Sequence, residues 1–211
     1  MMIALIAIGA YLLGSLPFGK WIAAARGIDI MREGSKSIGA TNVWRTLGWK
    51  AGLAVFLLDA AKGFIAATAG GMIPRLFENN STFSHELALL MGASAVLGHS
   101  ASIFLGFKGG KSVAAALGVL LSISPEVAGL SLLVFLIVFG ICRYVSVGSL
   151  CGVVSAPIFA AAFHYSWVIV LAYAVLAALI VYRHRANINR LMKGEEYKFS
   201  KQSSTTEAHG P

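Results

Sequence analysis

The first charged residue of the chain is Lys20, so the sequence opens with nineteen uncharged residues. A helix of that length is about 29 Å long, close to the thickness of the hydrocarbon core of a bilayer. No lysine or arginine precedes this run, so it lacks the basic start of a cleaved signal peptide, and a retained membrane helix is predicted. Of the 211 residues, 57% are hydrophobic and 12% are charged, which indicates a polytopic membrane protein rather than a soluble domain.

Apolar segments continue along most of the chain, and they predict an all-α membrane bundle of seven transmembrane helices within one domain, residues 1–199. The fourth and fifth segments are short, so their helices must extend into the flanking residues or thin the bilayer locally. The polar residues 200–211 are predicted to be a disordered tail. The seven segments lie near residues 2–24, 52–74, 86–106, 112–124, 127–142, 147–163 and 166–183.

Charge alternates between the loops that join these segments. Loops one, three and five and the C-terminal tail hold nearly all the lysines and arginines, whereas loops two, four and six hold Glu78, Glu86 and Glu126 but only Arg75. The positive-inside rule therefore predicts an outside N-terminus and a cytoplasmic C-terminus. The net charge is +8, but no soluble basic domain is present, so nucleic-acid binding is not expected.

The first basic loop contains Ser35, Asn42 and Arg45 among glycines. Hydroxyl, amide and guanidinium groups are the donors that hold phosphate oxygens, and arginine does so bidentately. The loop is therefore a candidate phosphate site. An ordinary polar loop with a helix cap at Ser35 or Thr41 remains the alternative.

The third loop contains the turn Lys108-Gly109-Gly110-Lys111, in which glycines let the backbone approach an anion and lysines supply charge. The surrounding sequence is one residue short of a nucleotide-binding loop and follows no strand, so nucleotide hydrolysis is not expected. In the fifth loop, the hydroxyl groups of Ser146 and Ser149 are candidate donors to the same anion. A tight turn with lysines that only set the topology is the alternative.

At the end of the last segment, His184 and Asn187 are three residues apart and share one helix face. Such a pair beside basic residues suits phosphate binding or proton transfer. A basic amphipathic tail that lies on anionic lipid explains the same pattern equally well.

Two charges interrupt the second apolar segment, Asp59 and Lys62. Their spacing predicts an ion pair, which serves either as a structural pin or as a direct contact to substrate. His99 is a candidate polar lining residue near the lysine turn. A metal site of His99 with His184 lacks carboxylate partners, so no metal and no cofactor are expected.

Three motifs occur in order, at Gly34–Arg45, Gly98–Lys111 and Arg183–Glu196, together with Asp59-x-x-Lys62-Gly63. In combination they resemble the bacterial membrane glycerol-3-phosphate acyltransferases that use acyl-phosphate as donor. The resemblance implies seven membrane helices in the bacterial inner membrane and an active site on the cytoplasmic face. It also implies acyl transfer to the 1-hydroxyl of glycerol 3-phosphate, which gives 1-acyl-glycerol 3-phosphate and phosphate. Membrane lipid and an upstream enzyme that forms acyl-phosphate are the implied partners.

The resemblance also implies roles for individual residues. The family usually reads Gly-Ser-Gly-Asn where this chain has Gly34-Ser35-Lys36-Ser37, a departure within the first motif. By motif position, the essential residues of loop one correspond to Ser35 and Arg45. The phosphate-binding turn of the family resembles Gly109, Gly110 and a flanking lysine. The essential C-terminal pair resembles His184 and Asn187, and a structural glutamate resembles Glu196.

The chain contains no His-x-x-x-x-Asp, the base–carboxylate pair of acyl-CoA-dependent glycerolipid acyltransferases. Acyl transfer from an acyl-phosphate needs less catalytic assistance to the leaving group, because phosphate is a good leaving group. Positioning of the substrates and charge neutralisation then account for most of the rate. Either His184 or the acceptor's own phosphate could take the hydroxyl proton. The rival function is an organic-phosphate transporter, but transporters usually hold polar groups near the midplane, often within repeats, and no repeat is evident here.

Overall fold

The computed structural model describes residues 2–74 and 84–199, and within these ranges it contains helices and turns but no strand. The all-α prediction is confirmed. The proposed disordered tail, residues 200–211, lies outside the described residues, as do Arg75 and Glu78 of loop two.

Ten α-helices lie within the described ranges, and most of the turns between them are short. One 3-10 turn, Ile103–Leu105, follows the fifth helix. The helices are α1 Met2–Ser15, α2 Phe18–Ala24, α3 Ala40–Leu47, α4 Trp49–Gly71, α5 His85–Ser100, α6 Val113–Ile123, α7 Pro125–Cys142, α8 Val145–Ala162, α9 Trp167–Arg183 and α10 Arg185–Met192.

Five segments are long and apolar enough to cross a membrane: Met2–Ala24, Trp49–Gly71, His85–Leu105, Pro125–Cys142 and Val145–Ala162. A sixth is counted if α9 and α10, which meet at a 57° bend, form one span. The remaining apolar helix, α6, has 11 residues and a length of about 16 Å, roughly half of the hydrocarbon thickness. The described residues therefore supply five or six full-length spans and one short helix.

The first span is broken between α1 and α2 at Pro17, which has no N–H to donate. The Lys20 N–H bonds to the Pro17 carbonyl, three residues back, instead of to the Leu16 carbonyl. The Leu16 carbonyl instead accepts a hydrogen bond from the Lys62 ammonium at 3.1 Å. A charged residue of α4 thus satisfies a backbone group that the proline break exposes.

Close contact between α4 and α6 holds the short helix inside the bundle. A Cβ atom at Gly63 would lie 2.0 Å from the Ala115 carbonyl oxygen, and one at Gly118 would lie 1.9 Å from the Ala60 carbonyl oxygen. Glycine is therefore required on both helices for this backbone approach. Small residues serve the same purpose in membrane bundles generally, because they let dispersion contacts form between backbones.

Hydrogen bonds mark the two ends of the bundle. Near one end, the Ser124 and Tyr173 hydroxyl groups bond at 2.8 Å, and the Tyr165 hydroxyl donates to Glu126. At the other end, the Arg183 guanidinium donates to the turn that precedes α6. The segment from this turn through α6 to Ser124 therefore connects the two ends.

Candidate active site

A cavity of about 210 Å³ lies at the end of the bundle where the basic loops meet. It is lined from loop one, from α3, α4, α5, α6, α7 and α8, from the α9–α10 junction and from the residues after α10. Eleven of the residues singled out in the sequence line it: Ser35, Asn42, Arg45, Asp59, His99, Lys111, Ser146, Ser149, His184, Asn187 and Glu196. Lys62, Lys108, Gly109 and Gly110 are not among the lining residues.

Asn42 organises loop one from within. Its Nδ2 group lies 2.9–3.3 Å from the carbonyl oxygens of Ile30, Glu33 and Ser37, and its Oδ1 accepts from the Ser35 N–H at 2.8 Å. Both amide hydrogens are therefore used inside the loop, and the phosphate-binding role expected of Asn42 does not fit these contacts. Asn42 instead fixes the backbone that carries Ser35 into the cavity wall.

The glycine turn is also organised differently from the expectation of an anion cradle. The Gly109 N–H donates to the Ser100 carbonyl and the Gly110 N–H to the His99 carbonyl, so neither is left for an anion. A Cβ atom at Gly110 would lie 2.1 Å from His99 Nε2, so this glycine is required by close packing. The two glycine carbonyls accept hydrogen bonds from Arg183, at 2.9 and 3.2 Å.

The two lysines of this turn have different surroundings. Lys108 is exposed, whereas Lys111 is half-buried and lines the cavity. The pKa of Lys111 is lowered to about 8, chiefly by burial; the carboxylate of Glu196 opposes this effect, and the guanidinium groups of Arg190, Arg45 and Arg183 add to it. Lys111 is therefore the lysine placed to meet an anion.

Glu196 joins α8 to α10 below the cavity. Its Oε1 accepts from Ser146 Oγ at 2.9 Å and from Asn187 Nδ2 at 2.6 Å, and its Oε2 accepts from Arg190 Nε at 2.7 Å. Burial raises the pKa of Glu196, but these three hydrogen bonds together outweigh burial and hold the pKa below its usual value. The Ser146 hydroxyl donates to this carboxylate and is not free to donate to an anion, whereas Ser149 lines the cavity.

His184 and Asn187 are held in defined orientations at the cavity. His184 Nδ1 lies 2.8 Å from the Ile180 carbonyl, and since a carbonyl only accepts, this nitrogen carries the proton. In the neutral ring, Nε2 is then an acceptor. The Oδ1 atom of Asn187 is buried and has no hydrogen-bond partner among the described residues, so it can accept a hydrogen bond from a ligand or a water molecule.

Asp59, Lys62 and His99 form a buried group beside the cavity. Lys62 Nζ lies 2.7 Å from Asp59 Oδ1, as the spacing of the two charges predicts. His99 Nδ1 lies 3.4 Å from the same oxygen but is not aligned for a hydrogen bond. Lys62 also reaches the Leu16 carbonyl, so the pair fixes the proline break, while Asp59 and His99 contribute to the cavity wall.

Two site features have little signal in the sequence. Tyr197, just beyond the last motif, contacts Arg45 through its carbonyl at 3.2 Å and through its ring at 5.0 Å. The deep wall of the cavity is apolar and includes Phe56, Leu117 and Phe135. Such residues are abundant in every membrane helix, so only the packing of the helices distinguishes those that line the cavity.

Comparison with known proteins assigns this arrangement to a family. The family model described as glycerol-3-phosphate acyltransferase matches residues 4–194. The chain belongs to the glycerol-3-phosphate acyltransferase family. The acyltransferase of Aquifex aeolicus is 45% identical over 190 residues, which cover 90% of this chain and 95% of the relative. That of Geobacter sulfurreducens is 41% identical over 190 residues, with 90% and 94% covered.

Two solved structures share the fold of this acyltransferase. Both are crystal structures of PlsY, an integral membrane glycerol 3-phosphate acyltransferase, one in its glycerol 3-phosphate form and one in its lysophosphatidic acid form. They superpose with TM-scores of 0.86 and 0.83, at 44% sequence identity, over 95% of this chain and 96% of theirs. This acyltransferase is accordingly a multi-pass integral membrane protein.

Proposed function

We propose that this acyltransferase moves a fatty acyl group from an acyl-phosphate to the 1-hydroxyl of glycerol 3-phosphate, giving 1-acyl-glycerol 3-phosphate and inorganic phosphate. The observation that carries the proposal is that one cavity is polar and cationic at its mouth and apolar in its depth. Arg45 and Lys111 supply charge at the loop end. Leu120, Phe135 and Val153 lie about 10 Å or more farther along their helices.

Two phosphate groups must share this cavity under the proposal, and the cations suit them. Arg45 can bind a phosphate bidentately, and Lys111 adds a point charge beside it. The acyl chain of the donor lies against the apolar wall that α6, α7 and α8 provide. That placement brings the acyl carbonyl to the boundary between the apolar wall and the cations, where the acceptor hydroxyl also arrives.

The reaction itself is a single substitution at the acyl carbon. The acceptor oxygen forms a bond to that carbon, the bond from the carbon to the phosphate oxygen breaks, and phosphate leaves with its electron pair. The hydroxyl proton goes to His184 Nε2 or to the acceptor's own phosphate, whose second pKa is about 6. Charge neutralisation by the two cations stabilises the departing phosphate.

The proposed topology has seven crossings, with an outside N-terminus and the cavity on the cytoplasmic face of the bacterial inner membrane. Support for the seventh crossing comes from the segment that contains α6. Before α6 it is bonded to Arg183, the last residue of α9, and after α6 Glu126 is bonded to Tyr165, which precedes α9. Support for the orientation comes from the lysines and arginines around the cavity. We assign residues 1–199 to one acyltransferase domain and 200–211 to a polar tail. Its partners are membrane lipid and an enzyme that forms acyl-phosphate.

The experiment that tests the donor uses the full-length protein purified in detergent. With acyl-phosphate and glycerol 3-phosphate, we expect one phosphate released per 1-acyl-glycerol 3-phosphate formed. Chelator should leave the rate unchanged, because no group of three or more His, Cys, Asp or Glu able to hold a metal occurs in the described residues. Equal turnover with acyl-CoA, or loss of activity with chelator, would contradict the proposal.

A detergent assay also separates this function from transport, since no gradient exists across a micelle. Lys111→Ala should lose most of the activity, because it removes a cavity cation. Lys108→Ala is the matched control, since it removes an exposed lysine three residues away, and its activity should remain near that of the unaltered protein. Equal losses in both variants would show that general basicity of the turn, rather than a cavity contact, supports the reaction.

A further inference from the structure

The residues that follow α10, Glu196–Phe199, form a C-terminal strap across the loop end of the bundle. The Phe199 N–H donates to the Arg143 carbonyl at 2.8 Å. The Phe199 ring packs edge-on against Trp44 of α3, with ring centroids 5.1 Å apart, and against Phe139 of α7 at 5.7 Å. The far end of the strap is thereby attached to two helices that border the cavity.

The near end of the strap is fixed as well. Glu196 is buried and binds Ser146, Asn187 and Arg190 through its two carboxylate oxygens. Tyr197 follows directly, so its backbone is held between two anchored residues. A carbonyl held in this way is a preorganised acceptor, because its position does not have to be fixed when a partner binds.

Tyr197 uses both its backbone and its ring on Arg45. The carbonyl accepts from an Arg45 terminal nitrogen at 3.2 Å, and the Arg45 guanidinium carbon lies 5.0 Å from the centre of the ring. Arg190 approaches the same ring at 5.6 Å. Arg45 lines the cavity and Tyr197 does not. Of the two arginines at the Tyr197 ring, Arg45 lines the cavity and Arg190 does not, so Arg45 is the direct link from Tyr197 to the cavity.

A free arginine side chain loses substantial rotamer entropy when it becomes ordered, and this loss opposes binding. The Tyr197 contacts meet part of that cost before any substrate arrives. Arginine has five N–H donors, so the single bond to the Tyr197 carbonyl leaves the others available to phosphate. The contacts thus order the guanidinium without using up its capacity.

We propose that Tyr197 is a positioning residue, which holds Arg45 in the orientation that receives the phosphate of glycerol 3-phosphate. The inference rests on the proposed function for the identity of that acceptor. Tyr197 lies outside the three sequence motifs and outside the cavity lining, and the inference includes it among the groups that set acceptor affinity. It also gives the strap a role in binding, beyond its attachment of α10 to α3.

The test measures glycerol 3-phosphate binding by calorimetry and steady-state kinetics on the full-length protein in detergent. Tyr197→Leu should raise the Kd and the KM for glycerol 3-phosphate about three- to tenfold, because the ring contact is lost and the carbonyl remains. Its kcat and its KM for acyl-phosphate should stay within about twofold of the unaltered values. Tyr197→Phe keeps the ring and should restore near-normal acceptor affinity.

Tyr182→Leu is the matched control. The Arg185 guanidinium carbon lies 4.5 Å from the centre of the Tyr182 ring, which is a contact of the same kind. Tyr182 is exposed on α9 and does not line the cavity. Loss of this ring should therefore leave acceptor affinity unchanged. Thermal melting in detergent checks that each variant is folded. A Tyr197→Leu protein that is folded and has an unchanged or lower Kd would overturn the proposal.

A double-mutant cycle separates positioning from a general structural role. Arg45→Lys keeps the charge but removes the guanidinium that Tyr197 orients. Adding Tyr197→Leu to this variant should therefore cause little further loss of glycerol 3-phosphate affinity. Losses that multiply would instead show that Tyr197 acts independently of Arg45, which contradicts the inference.

An unaltered protein that binds glycerol 3-phosphate but does not use acyl-phosphate would refute the proposed donor, and the Kd values would still decide the role of Tyr197.

Discussion

Under the proposed function, we expect the protonation of Lys111 to affect acceptor binding. Burial lowers its pKa to about 8, so the ammonium is charged at neutral pH and loses its proton as the pH rises through this value. The KM for glycerol 3-phosphate should therefore rise as the pH increases from 7 to 9. Measurement of KM across this range checks the expectation.

The matched variant is Lys111→Arg, whose guanidinium keeps its charge throughout the range. Its KM should change little between pH 7 and pH 9, whatever its absolute value. Lys108→Arg serves as the control, because Lys108 is exposed, and it should keep the pH dependence of the unaltered protein. A KM that stays flat in the unaltered protein would exclude Lys111 as the group that titrates.

The sequence predicts which residues line the cavity better than it predicts which of their hydrogen-bond donors are free to bind a ligand. Ser35, Arg45, Lys111, His184 and Asn187 are polar groups in short motifs, and eleven of the predicted residues do line one cavity. Whether a donor already makes a hydrogen bond within the protein depends on partners that are distant in the sequence. The Ser146 hydroxyl, for example, donates to a carboxylate fifty residues away, and no local pattern contains that information.

Lys36 shows a departure from the family pattern that the backbone tolerates. Its φ is 53°, in the left-handed region that glycine adopts without strain, and the Gly-Ser-Gly-Asn pattern expected from the resemblance would place glycine there. The next positions compensate in part, because the Ser37 hydroxyl accepts from the Gly39 N–H and the Ser37 carbonyl accepts from Asn42. The loop thus keeps its closed form with a lysine where glycine is usual.

Among the elements, α6 packs on α4 without room for a side chain at two glycines, Gly63 of α4 and Gly118 of α6. A Cβ atom at Gly63 would lie 2.0 Å from a backbone oxygen of α6, so Gly63→Ala must push the helices apart. Overpacking of this kind costs about 1–3 kcal/mol. We expect a lower melting temperature in detergent and weaker activity, because α6 carries part of the cavity wall.

Gly129→Ala is the control for this substitution. Gly129 lies in α7, and a Cβ atom there would meet no other atom within 4 Å. Alanine is the better helix former by about 1 kcal/mol, so this variant should melt at the same or a higher temperature. Equal destabilisation by both substitutions would indicate that the α4–α6 contact has no special importance.

The apolar pattern predicts the helical elements well, but it does not predict what interrupts them. The fourth apolar segment becomes an 11-residue helix because the preceding residues are held in a turn by bonds such as Gly110 N–H to the His99 carbonyl. The chain also bends by 57° at His184, between α9 and α10. Both interruptions depend on tertiary contacts, with Arg183 and with Glu196, that hydrophobicity alone does not encode.

At the scale of the whole molecule, the proposed seven crossings require α6 to pass from the cytoplasmic face to the outer face. Single cysteines at Lys36, Lys108 and Lys193 should then be shielded from a membrane-impermeant maleimide in intact cells and react after permeabilisation. Cysteines at Pro125 and His164 should react in intact cells. The two native cysteines, Cys142 and Cys151, are first replaced by alanine, since neither is in a disulfide.

The comparison of Lys108 with Pro125 decides the question, because α6 is the only helix between them. Opposite accessibility at these two sites means that an 11-residue helix and its flanking turns cross the membrane, which requires local thinning of the bilayer. Equal accessibility would make α6 a buried half-helix and leave an even number of crossings. The basic loops of the first and last motifs would then lie on opposite sides of the membrane and could not form one cavity, so opposite accessibility is the expected result.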